Sequence, residues 1–69
     1  MIQVLNDEDA NEDAALYQKM DRSGNTSGCV LVEQRWGLDG LPPDVVLSVL
    51  RAVGRGVSRS KALDAAMRR

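Results

Sequence analysis

The feature that most narrows the possible folds is Pro42-Pro43-Asp44, followed by Val46, Val49, Leu50 and Val53 at the i, i+3, i+4, i+7 spacing. Proline suits the first helical turn, where its missing N–H would have no partner, and an acid there complements the helix dipole. The spacing gathers the four apolar residues on one stripe. Gly54 and Gly56 then end this helix, because glycine takes the left-handed backbone of a helix C-terminus with least strain. Ser58 is placed to N-cap a second helix, with Leu63, Ala66 and Met67 facing inward and Ala62 beside them. Residues 41–69 are therefore predicted to form a helical hairpin.

A chain of 69 residues gives that hairpin little to pack against. At this size only about 60% of the unfolded surface is removed from water, and a core needs reinforcement. A single cysteine, Cys29, and the lack of histidine leave no intramolecular disulfide and no Cys/His zinc site, so no metal or other cofactor is implied. A second copy of the chain is the simplest way to enlarge the core. No apolar run approaches the ~20 residues of a membrane span. Met1-Ile2-Gln3-Val4-Leu5, followed by acids, lacks the basic region and long apolar stretch of a signal peptide. A cytoplasmic setting without a membrane partner is expected.

Upstream, Asn6 or Asp7 is placed to cap a helix running to about Met20, with Ala10, Ala14, Tyr17 and Met20 as a thin apolar stripe. Met1 to Leu5 reads as a short strand or a free end, and residues 21–28 read as a polar, glycine-containing loop. Residues 1–28 are thus an acidic N-terminal segment, partly helical or disordered. Residues 29–36 have the β-branched and aromatic content of a strand, with Val30, Val32 and Trp36 inward and Leu31, Glu33 and Arg35 outward. A lone strand leaves its backbone groups unpaired, so it must pair with residues 1–5 or with its own copy in a second chain. The expected class is mainly α with one short strand.

Charge is divided along the chain. Residues 1–50 carry nine acids and three bases, whereas residues 51–69 carry six bases and one acid, Asp64. Such a basic C-terminal part suits a phosphate-rich partner. A helix that starts at Ser58 presents free backbone amides, and Arg55, Arg59 and Lys61 crowd positive charge around them. A capping box would place Glu or Gln where Lys61 stands, so a cation replaces that stabilising contact.

Leu-Pro-Pro-Asp-Val with its apolar helix, then Gly-Val-Ser-Arg-Ser-Lys-Ala-Leu and Ala-Ala-Met-Arg-Arg, resembles the ribbon-helix-helix DNA-binding proteins of bacteria, chiefly over residues 41–69. The resemblance implies an intertwined homodimer over residues 29–69, with residues 1–28 an extra acidic segment. Paired strands would enter the major groove of operator DNA, and the start of the second helix would clamp a phosphate. The protein would then be a sequence-specific transcriptional regulator of the repressor or antitoxin type. The clamp falls on the backbone at Val57, Ser58 and Arg59 with the Ser58 side chain, supported by Lys61 and beside Arg55, a phosphate contact by its charge, and the base-reading residues fall on Glu33 and Arg35. The dimer core would hold Val30, Val32, Trp36, Val46, Val49, Leu50, Val53, Leu63, Ala66 and Met67. Partners implied are double-stranded DNA, a second copy, and a toxin or other protein bound through residues 1–28. One departure from the pattern is Gly37-Leu38-Asp39-Gly40, which separates the strand from the helix start.

Catalysis is not expected: there is no histidine, the carboxylates cluster in an acidic segment, and Cys29 has no evident activating neighbour. The alternative class is a protein-interaction module or inhibitor, docking through its helices and acidic segment without DNA.

Overall fold

The computed structural model describes residues 7–68, and among them every regular element is a helix: α1 (Asp7–Ser23), α2 (Thr26–Trp36), α3 (Pro43–Gly54) and α4 (Arg59–Met67). The expected strand at residues 29–36 is helix α2, and no strand occurs among the described residues. That overturns the mainly α class with one strand and the ribbon-helix-helix architecture. The strand suggested for Met1 to Leu5 lies outside the described residues.

Helix α2 arises because its ends and its spacing outweigh its β-branched content. Asn25 is the N-cap, its side-chain oxygen accepting from the Gly28 amide at 3.1 Å. Cys29, Val32 and Trp36 are buried, an i, i+3, i+7 pattern that a helix gathers on one face and a strand would scatter. At the C-terminus Gly37 has φ 68°; its amide donates to the Gln34 carbonyl and the Leu38 amide to the Glu33 carbonyl. This is a Schellman ending, and Leu38 supplies the buried apolar residue that accompanies it. The segment expected as a long loop at residues 21–28 shrinks to Gly24 and Asn25, since α1 runs on to Ser23. Helices α1 and α3 end with the same pair of bonds, through Gly24-Asn25 and Gly56-Val57.

Gly37 also has a packing reason: a Cβ there would lie 2.6 Å from Arg59 Nη1. Gly37→Ala combines a left-handed alanine with this clash and should cost about 1–3 kcal/mol, read as a lower urea midpoint with an unchanged slope.

The core is one cluster fed by all four helices. Val46, Val49, Leu50 and Val53 of α3 are buried, as their spacing predicts, and Ala10, Ala14 and Tyr17 form the apolar stripe of α1. Alanines on that stripe let α1 lie close along α3, where Asn11 Nδ2 donates to the Gly54 carbonyl at 3.2 Å. Helix α4 turns its Ala62 into the core, with Leu63 and Ala66 half-buried. Met67 is 59% exposed and Val30 38%, so in a single chain neither belongs to the interior.

Two hydrogen bonds between side chains join α1 to α2, beside the Arg35–Asp13 ion pair at 3.7 Å. Trp36 Nε1 donates to buried Asp13 at 2.6 Å, and the Tyr17 hydroxyl donates to Glu33 at 2.7 Å. Burial first, then the hydrogen bond to Glu33 and its charge, raises the Tyr17 hydroxyl above its ordinary 10.0. Burial, with Asp21 and Glu33, likewise raises the Cys29 thiol above 9.0. The folded chain therefore holds both protons more tightly than the unfolded one. Their stabilisation is whole below the unfolded values and is lost as pH rises through the folded ones. Thermal midpoints should decline from about pH 9 upward, and less steeply in Tyr17→Phe; equal declines in both proteins would contradict this origin.

Candidate nucleic-acid interface

Two depressions meet at the turn between α3 and α4. The larger, about 640 Å³, lies between the two helices and is rimmed by Arg51, Arg55 and Lys61 over a floor that includes Ala52, Ala62 and Ala66. The smaller, about 410 Å³, lies on the other side of the turn between Arg35 and Arg59, with Trp36, Gly56 and Ser58 in its wall. Val57 lines both. Five of the eight lysines and arginines among the described residues thus surround one corner. Asp44 is the one acid lining either depression.

Local structure explains why charge collects there. Arg51 and Arg55 stand four residues apart, which places them on one side of α3 and its C-cap. Positive charge at a helix C-terminus is favourable, so the dipole of α3 supports both. Ser58 is the N-cap of α4 with extended backbone, as its position predicts, but its hydroxyl makes no capping bond. The first intrahelical donor is the Ala62 amide, bonded to the Ser58 carbonyl at 2.9 Å. The preceding amides of the first turn and the Ser58 hydroxyl remain available to an anion.

Of the residues expected to hold phosphate, the structure brings Arg55, Val57 and Lys61 together on the larger depression, and Val57, Ser58 and Arg59 on the smaller. Arg59 also braces the fold, since its Nη1 donates to the Trp36 carbonyl at 2.7 Å and ties the end of α2 to the start of α4. Base reading by Glu33 and Arg35 requires both to face outward on a strand, and helix α2 overturns that premise. Glu33 is half-buried and accepts the Tyr17 hydroxyl. Arg35 stands 3.7 Å from Asp13 and lines the smaller depression. Arg51 is an addition to the expected set, although its i, i+4 relation to Arg55 is visible in the sequence; it also donates to Gln18 at 3.2 Å.

Comparison with protein-family models, curated proteins and solved structures finds no match to this chain. Among the described residues no group of His, Cys, Asp and Glu is arranged to hold a metal ion, and no helix is long and apolar enough to cross a membrane.

Proposed function

We propose that this protein binds DNA through the cationic corner between α3 and α4. The observation that carries the reading is the convergence of Arg51, Arg55 and Lys61 on one open groove, with Arg35 and Arg59 across the turn. Phosphodiesters are the abundant cellular polyanions whose spacing rewards several cations at once, because each neutralised phosphate releases counterions. The paired-strand element of the regulator reading is gone, and what supports DNA binding is this corner alone.

The test is a fluorescence anisotropy titration of a labelled duplex at increasing salt. The expected result is an affinity that falls steeply, with a log–log slope of about −3 to −5 for three to five phosphate contacts. Absent or salt-insensitive binding would contradict the proposal.

The alanine floor of the larger groove favours a second reading. It would admit the apolar face of a helix whose acidic flanks meet Arg51, Arg55 and Lys61. A nuclease-resistant, stoichiometric protein complex that occludes those residues, in a protein that ignores duplex DNA, would select this reading.

A further inference from the structure

We infer that DNA at this corner is gripped by its phosphates alone, as a duplex, with no base stacked on the protein and little regard for sequence; this rests on the DNA-binding reading above. The chain has one tryptophan, one tyrosine and no phenylalanine or histidine. Trp36 is 4% exposed and Tyr17 0%, and both have their polar tips bonded inward, to Asp13 and Glu33. Swinging Trp36 outward would break a 2.6 Å hydrogen bond and uncover the Asp13 carboxylate. Neither ring can serve as a stacking platform, which single-strand binding adds to a cationic groove.

Base reading in the major groove needs a helix or a two-stranded ribbon that presents free polar side chains. Helix α4 is poorly equipped for it. Arg59 is anchored in the wall of the smaller depression by its bond to the Trp36 carbonyl, which turns it away from an approaching groove, and Asp64 pairs with Arg68 at 3.1 Å. Lys61 lines the groove shared with α3. The cations that remain accessible line two depressions flanking Val57, an arrangement suited to phosphates on a surface of high charge density. A duplex presents one charge per ~1.7 Å of axis, more densely than a single strand.

Two measurements on the full chain decide the matter. In the first, a random-sequence duplex library is carried through repeated binding selection. The expected outcome is no enriched motif, whereas a selected duplex bound roughly 10³-fold or more tightly than a shuffled one is the mark of specific reading and would overturn the inference. In the second, duplex and single strand of equal length are titrated while the emission of Trp36 is followed. The duplex should bind more tightly and the emission should stay unquenched; a tighter single strand that quenches Trp36 would overturn the inference. Either contrary result leaves DNA binding itself standing. Failure of both duplex and single strand to bind would overturn the DNA reading and this inference together.

Discussion

Trp36→Ala should remove a large part of the chain's stability. Removing a buried tryptophan costs about 3–5 kcal/mol through lost transfer energy and the cavity that remains. Domains of this length hold roughly 3–10 kcal/mol in all, at 0.05–0.15 kcal/mol per residue. The loss is compounded because Trp36 Nε1 is the 2.6 Å donor to buried Asp13, whose other neighbour, Arg35, stands 3.7 Å away. Two milder variants separate packing from hydrogen bonding. Trp36→Phe and Asp13→Ala should each cost about 1–3 kcal/mol, by leaving one polar partner unmatched. Together they should cost less than their sum, because the second change removes the group that the first left unpaired. Circular dichroism melts and urea titrations measure all four proteins. A Trp36→Ala variant within about 1 kcal/mol of the parent would mean that α2 is not held to α1 as described.

The second large effect concerns binding. Replacing Arg51, Arg55 and Lys61 together by glutamine removes three cations from one groove and leaves the buried core untouched. If each neutralises one phosphate, the salt slope should flatten by about 2.7, which at 0.1 M salt corresponds to a roughly 500-fold weaker complex. Thermal stability should change little, since exposed charges of this kind contribute at most about 1 kcal/mol each. Replacing Lys19, Arg22 and Arg68 serves as the control of equal charge, because none of them lines either depression beside the turn. Equal losses from both triple variants would indicate that net charge, and not this corner, governs binding.

The sequence makes some of this visible and conceals the rest for physical reasons. Helix α3 is legible because the Pro42-Pro43 start, Asp44 and the apolar spacing of Val46, Val49, Leu50 and Val53 all point the same way. The start of α4 at Ser58 is equally plain. Helix α2 is disguised because Val30, Val32 and Trp36 favour a strand by local preference, whereas tertiary spacing and the caps decide. The corrective signals are Asn25 three residues before Gly28, and Gly37 followed by apolar Leu38. The same Gly37-Leu38 pair looks like an interruption of a ribbon and is instead a helix ending. At the corner, local chain order nominates Arg55, Ser58, Arg59 and Lys61, and the resemblance adds Val57, but the approach of Arg35 depends on how α2 packs, which short-range pattern does not encode. Arg59 illustrates the limit well: its bond to the Trp36 carbonyl spans 23 residues.

The most direct test is a residue-by-residue NMR titration of the isotope-labelled protein with a short duplex. DNA binding at the corner requires the largest amide and side-chain shifts at Arg51, Arg55, Val57, Ser58 and Lys61, fading as salt rises, while Ala10, Ala14 and Val49 of the core stay still. Shifts centred on α1, or none at saturating duplex, would contradict it.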